Sequence, residues 1–479
     1  MGQSTKMGQA GAGDTSRVRR LIEMLNASPD AFHCTQHLIG RLKDEGFQQL
    51  HETRPWSVKS GGSYFTVRNG SAVIAFRIGT GNAAETGMRI IGAHTDSPAL
   101  KLKLEAARYQ NGYLVCPTEV YGGPILSTWL DRDLGVSGRI MVRDPDSGMP
   151  RSQFIRTSLP VAIVPNLAIH LNREVNKGFE YNKQDHLLAV FECRSSAGTS
   201  AADTSRADTP EGDLEHAQMA VMSAVLESAV LQFPGPQSGG ARAEEVKAED
   251  VIAADLVLYD GQPAAVIGSG DDALLSSGRI DNQAGCFTNL EALLGSRSDN
   301  NTCIAAFFDN EEIGSRSSHG ADSSFLEGVI DRIASCLGLG AEERFQMRAR
   351  SSILSNDGAH AVHPAYVSKM DPAYAPRLNG GPVVKLNANM RYSSTSETAA
   401  RFISLCDSRS LPYQRLANRS DMPSGSTIGP ISTARAGLAG VDVGIPMLAM
   451  HSVRESCGCA DVERLTSVIS DYLDSPFHA

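Results

Sequence analysis

The sequence predicts an α/β protein: a central, mainly parallel sheet flanked by helices, with an inserted, mostly β domain. Three observations lead there. From Val251 onward, short apolar runs alternate with amphipathic stretches, the pattern of strands covered on both faces by crossover helices. Between residues 105 and 192 this texture gives way to short β-like runs without a long helical period. Four of the apolar runs also stop at residues able to bind a metal, as expected where the carboxyl ends of sheet strands share one rim.

At 479 residues the chain has room for two or three domains of roughly 150 residues each. With 41% hydrophobic and 20% charged residues it can bury a sizeable core. A net charge of −10 argues against a nucleic-acid partner. No run approaches the roughly 18 apolar residues that span a bilayer, so no membrane is expected. The opening MGQSTKMGQAGAGDTS lacks the apolar stretch of a secretory leader, and residues 1–15 read as a disordered tail. Nine dispersed cysteines suit reduced thiols and a cytoplasmic location.

Taken in order, Ser28-Pro29 predicts a helix start, with Ser at the N-cap and Pro at the first helical position. SAVIAFRIG (71–79) and MRIIGAH (88–94) predict strands either side of a Gly/Asn turn. The β-like runs of the insertion are GYLVC, GRIMVRD, LPVAIVP and HLLAVF. Residues 194–213, rich in Ser, Ala, Thr and Asp, predict a mobile loop, 215–233 a helix and 234–240 a linker. These features bound an α/β domain at 16–104 and 251–479 and an inserted, mostly β domain at 105–250. In the former, CFTNLEALL (286–294) reads as a helix ended by Gly295 and CIAAFF (303–308) as a buried strand. SSFLEGVIDRIASCLG (323–338) reads as a helix with a Ser324–Glu327 capping box. SSILS (351–355) and IPMLAM (445–450) follow as strands, and DVERLTSVISDYL (461–473) closes the chain as a helix.

The chemistry sits where the runs end. RIIGA runs into His94-Thr95-Asp96, CIAAFF into Asp309-Asn310-Glu311-Glu312, SSILS into Asn356-Asp357 and IPMLAM into His451. Asp281 lies just before the helix near Cys286. Imidazole and carboxylate donors without thiolate suit Zn²⁺ in a catalytic site, or Mn²⁺ or Co²⁺. Asp96 is spaced to accept the second ring N–H of His94 and fix its tautomer. Two adjacent glutamates at a strand end are expensive unless a cation neutralises them. With a metal pair, one binds and the other is free as a base toward water.

Taken singly, each has an ordinary explanation. A His after a strand is usually structural, an EE pair is usually a solvated face, and an isolated Asp before a helix is an N-cap. Four strand ends agreeing is what those explanations leave out. Cys457-Gly-Cys459 lacks a second pair and reads as two ordinary thiols, and His33, His37, His51 and His478 have no partner pattern. His360 and His363, spaced by three, remain alternative ligands.

Eight blocks together identify a resemblance: GAHTDSPALKLK (92–103), YGGPILSTWLDRDLGVSGR (121–139), VPNLAIHLNR (164–173), GRIDNQ (278–283), DNEEIGSRSSHGA (309–321), SNDGAHAVHPAY (355–366), GPVVKLNANMRY (381–392) and SGSTIGPI…AMHSVRE (424–455). In this order they resemble the aspartyl aminopeptidases of the M18 metallopeptidase family. The resemblance implies a zinc exopeptidase-like fold, two zinc ions per subunit and release of N-terminal Asp or Glu from peptides. It implies that Asp281 bridges the metals, with His94 and Asp357 on one and Glu312 and His451 on the other. Glu311 would be the general base. His170, in the inserted domain, would reach a neighbouring subunit's active site, and His360, Lys385 and Tyr392 would contact substrate, Lys385 answering the acidic side chain. The implied assembly is a homo-oligomer, a tetrahedral dodecamer. The competing expectations are a related dinuclear-metal deacylase or general aminopeptidase, and a non-catalytic shell-forming homologue.

Overall fold

The structure is a computed structural model that describes residues 15–144, 147–193, 211–232 and 246–475. The expected tail at 1–15, the loop at 194–213 and the linker at 234–240 lie outside these, apart from Thr15 and residues 211–213 at the starts of two helices.

A nine-stranded sheet organises one half. Its centre is four mutually parallel strands, Thr302–Phe308, Met88–His94, Ser352–Asn356 and Ala439–Gly444. Antiparallel strands adjoin them on both sides, Ala72–Arg77 on one and Val383–Lys385 on the other. Every residue of Met88–His94 and Thr302–Phe308 is buried. The strand period explains why these runs are continuously apolar: Ile91, Ala93, Ala305 and Phe307 enter one core, and Ile90, Ile304, Ala306 and Phe308 the other. Helices Thr15–Ala27, Ala31–Asp44, Ile280–Gly295, Ser396–Ser408 and Cys459–Asp474 cover the first face. Phe325–Cys336, Ala341–Ala349 and Ile428–Ala436 cover the second. No helix among the described residues is long and apolar enough to cross a membrane.

The other half is an eight-stranded sheet with its own core around Trp129, Leu134, Ile140, Ile155 and Leu256. Its path takes in Ala99–Leu102 and Val251–Asp260, so it draws strands from both sides of 105–250. The seam between the halves therefore begins three residues after Asp96.

Several elements differ from expectation for identifiable reasons. IPMLAM is not a strand of the main sheet. Pro446–Leu448 lies in a separate five-stranded sheet, beside Glu455–Gly458 and Ala359–His360, so His451 approaches the rim from a second sheet. LPVAIVP forms only isolated bridges at Ala162 and Ile163, because Pro160 and Pro165 remove ladder donors. The helix expected over 215–233 stops at Glu227, and Ala229–Gln232 instead pairs antiparallel with Pro150–Thr157, pairing overriding local period. The second helix is capped by Asp30, whose carboxylate accepts from His33 N at 3.0 Å, rather than by Ser28. The Ser324–Glu327 box does not form: Ser323 Oγ accepts from Phe325 N, and Glu327 meets Arg435 at 3.4 Å.

Candidate metal centre

Met88–His94 delivers His94, 1% exposed, to the rim. Its Nδ1 faces the Asp96 carbonyl at 3.1 Å and the Asp96 carboxylate at 3.4 Å, and its Nε2 lies 3.5 Å from Asp281 Oδ1. Asp96 thus touches the ring as its spacing predicted, with the backbone oxygen sharing the work.

The neighbouring strand Thr302–Phe308 leads to Asn310 in the left-handed region (φ 61), which a short polar side chain tolerates. One 3₁₀ turn, Glu311–Ile313, then presents both glutamates. Asp96 pins that turn, accepting from Glu311 N at 3.2 Å and Glu312 N at 3.1 Å. Ser352–Asn356 delivers Asp357, whose Oδ1 is 3.6 Å from Lys385 Nζ. Asp281 sits at the start of Ile280–Gly295 with non-helical backbone angles, held by its N–H donating to Glu455 Oε2 at 3.0 Å and its carbonyl accepting from Ser97 Oγ at 2.7 Å. His451 Nε2 lies 3.5 Å from Asp281 Oδ2 and 3.3 Å from Glu312 Oε2.

These side chains form three overlapping groups, His94–Asp281–Asp357, His94–Glu311–Glu312 and Asp281–Glu312–His451, with candidate ligand atoms within 4.8 Å in each. The charges are unbalanced. Burial, with Asp281 adding to it, holds Glu312 well above the usual carboxylate range. Burial pushes Glu311 up to about 8, with Asp357, Asp96 and Asp281 adding to it and His94 opposing. Asp357 is raised by burial despite Lys385. Burial opposes protonation of His94 and His451, but Asp281 and neighbouring carboxylates outweigh it, and His451 reaches about 10. The same two rings outweigh burial at Asp281 and hold it low.

Asp281 Oδ1 and Glu312 Oε1 are buried and accept no hydrogen bond among the described residues. A buried carboxylate oxygen left without a partner costs about 1–3 kcal/mol or more, and a divalent cation removes that cost. Two imidazoles with carboxylates and no thiolate fit zinc, manganese or cobalt. The residues present therefore fit a metal centre.

Lys385 is 2% exposed, and its Nζ lies 5.4 Å from the centroid of the Tyr392 ring, so both pack beside Asp357. His360 is exposed at the end of Ala359–His360. His170 is exposed on the inserted half and makes no hydrogen bond or ion pair to the centre among the described residues. His363 turns away, accepting from Ala365 N and packing on Tyr366. Two residues that the sequence reading did not single out support the centre. Glu455 accepts from Asp281 N and, at 2.8 Å, from His451 N. Tyr121 donates to Asp96 Oδ2 at 2.7 Å. Glu455 has a faint signal, standing four residues past His451; Tyr121 has only its place at the head of the block 121–139.

Carboxylates and imidazoles gathered at the carboxyl ends of parallel strands define the class, an open-sheet α/β protein built around a metal centre. Comparison then gives the family. The family described as Aminopeptidase I zinc metalloprotease (M18) matches residues 24–472. A probable M18 family aminopeptidase 2 from Ectopseudomonas mendocina (strain ymp) is 39% identical over 459 residues, covering 96% of this chain and 98% of that protein. Among solved structures, that of an Ape4 and Nbr1 complex is similar at a TM-score of 0.86 and 32% identity, covering 98% of this chain and 87% of the other. The S. cerevisiae mApe1 dodecamer is similar at 0.76 and 25%, covering 95% of each chain. The chain belongs to the M18 family and is a metallo-aminopeptidase.

Proposed function

We propose that the chain releases N-terminal Asp or Glu from peptides at a two-metal centre, with zinc as the favoured ion and manganese or cobalt as substitutes. His94 and Asp357 would hold one ion and Glu312 and His451 the other, with Asp281 shared by both. The observation behind this reading is Asp281 standing 3.5 Å from both His94 Nε2 and His451 Nε2, with one carboxylate oxygen toward each. When bound, such a pair lowers the pKa of water toward roughly 7 and polarises the scissile carbonyl.

Glu311 is the base. It takes the proton of the attacking water and delivers it to the leaving amine. Asp96 holds the Glu311 backbone and the His94 ring in register. Lys385 carries the acid preference: an ammonium has three donors, and Asp357 engages one face of it, leaving others for a substrate carboxylate. Tyr392 packs against that ammonium, and His360 stands at the exposed side. Retention of Glu311 beside Glu312 argues against a non-catalytic shell protein.

The inserted half supports assembly. Leu167, Ile169 and Leu171, which flank His170 in the chain, are 57%, 47% and 76% exposed, and the mApe1 neighbour is a dodecamer. We propose a tetrahedral homo-dodecamer in which His170 enters a neighbouring subunit's site and donates to the developing oxyanion. The free state of all nine cysteines supports a reducing, cytoplasmic compartment. Hydrolysis of peptides beginning with Asp, Glu, Leu or Ala, before and after chelation, tests the activity. Asp and Glu are expected to lead and chelation to abolish turnover; preference for Leu or Ala would overturn the specificity in favour of a general aminopeptidase. Light scattering at the mass of fewer than twelve copies would overturn the assembly.

A further inference from the structure

Three consecutive residues from the eight-stranded half touch three different members of the metal centre. Strand Tyr113–Tyr121 ends there, and the chain turns through Gly122 (φ +70) and Gly123. Tyr121 Oη donates to Asp96 Oδ2 at 2.7 Å and accepts from Asn310 Nδ2 at 2.9 Å. Gly122 backs onto Glu312, so closely that a Cβ added there would lie 3.2 Å from Glu312 Cβ. The Gly123 carbonyl accepts from His451 Nδ1 at 3.1 Å, and Ile125 N donates to the His451 carbonyl at 2.9 Å.

Each contact acts on orientation. A carbonyl can only accept, so Gly123 commits the Nδ1–H of His451 and leaves Nε2 as the nitrogen aimed at Asp281 and Glu312. Asp96 joins the two sides of the site, meeting His94 Nδ1 and both glutamate N–H groups. A carboxylate can swing about its terminal torsion unless its oxygens are held. The Tyr121 hydroxyl holds Oδ2, the same oxygen that accepts from Glu312 N. Because a phenol donates and accepts at once, it also ties Asp96 to Asn310, the left-handed residue on which that turn begins.

We infer that Tyr121–Ile125 is a strap through which the inserted domain positions the metal centre, with Tyr121 as its positioning residue acting on His94 and Glu311 through Asp96. The inference rests on the two-metal reading above and adds a role for the inserted domain beyond assembly.

The test is Tyr121→Phe in the full chain, alone and combined with Asp96→Asn. The readouts are kcat and KM on an N-terminal Asp peptide, and zinc affinity of the chelated protein by competition with a chromophoric chelator. Tyr121→Phe is expected to lower kcat about 10- to 100-fold with KM within about twofold, and to weaken zinc binding by about tenfold. In the Asp96→Asn background it should weaken zinc binding no further. A kcat within about twofold of the parent, a raised KM at unchanged kcat, or a full zinc effect persisting without the Asp96 carboxylate would overturn it. A parent chain that neither binds zinc nor cleaves the peptide would instead overturn the underlying function, a distinguishable result.

Discussion

Zinc binding to the chelated protein is expected to expel protons. In the metal-free centre both imidazoles hold their protons at neutral pH, because Asp281 and adjoining carboxylates outweigh the burial that opposes the charge; His451 is pushed up to about 10. Burial, with Asp281 adding to it, also raises Glu312 well above the usual carboxylate range. Ligation requires neutral rings and ionised carboxylates, so loading at pH 7 releases more than one proton, from the two imidazoles and from the raised carboxyls of Glu311 and Glu312. Zinc affinity must then fall as pH drops. Stability of the chelated chain follows the same groups with the opposite slope. A group whose folded pKa exceeds its unfolded value stabilises at low pH and loses that contribution as pH rises through the folded value. For His451 the window runs from 6.5 to about 10, so the melting temperature of chelated protein should fall across it. Calorimetric titration with zinc at pH 7, in two buffers of different protonation enthalpy, counts the protons directly. Release of less than one proton per chain, or an affinity flat between about pH 6 and 8, would refute the charge argument.

Other consequences are independent. Glu311→Gln should lower kcat by about 10²- to 10⁴-fold at unchanged zinc content, measured by metal analysis beside turnover. Lys385→Met should erase the advantage of Asp and Glu over Leu peptides while zinc content holds, since bound metal still neutralises Asp357; a preserved preference would move specificity elsewhere. Asp30→Ala should cost about 0.5–2 kcal/mol by denaturant unfolding at pH 7 through loss of the helix cap. Burial opposes ionisation of Asp30 but His33 outweighs it and holds the carboxyl below 3.8, so that deficit should shrink as pH falls through the lowered value, where the parent loses the same contribution.

The sequence displayed the strands and their ends more clearly than their partners. Met88–His94 and Thr302–Phe308 are buried on both faces, so their runs are uninterrupted and their boundaries sharp. The central strand Ala439–Gly444 does not stand out as an apolar run because AGVDVG mixes two glycines and a buried Asp442, whose carboxylate is satisfied by Ser393 and Thr427. Thr15–Ala27 is masked in the sequence by the low-complexity stretch before it, although Leu21, Met24 and Leu25 are fully buried. The candidate ligands His94, Glu312, Asp357 and His451 are legible because each follows an apolar run that stops at it. The supporting roles of Tyr121 and Glu455 are not, since a hydrogen bond to a neighbour of the site leaves no period in the chain, and Glu455 shows only its place four residues past His451.

What those hidden contacts accomplish is preorganisation. Every proposed ligand has a second side held by the protein: His94 by Asp96, Glu312 through its N–H on Asp96, Asp281 and His451 by Glu455, Asp357 through its N–H on the Val443 carbonyl. Five carboxylates and two imidazoles would otherwise relieve their repulsion by swinging apart. Held as they are, the repulsion is stored against the fold and is released when cations arrive, which is why the same geometry that destabilises the chelated chain at high pH should favour metal uptake there. The neighbouring half supplies Tyr121 and the Gly123 carbonyl to this outer layer. Loosening the seam between halves should therefore weaken the centre before either core unfolds, because the two cores are separate while the site is shared.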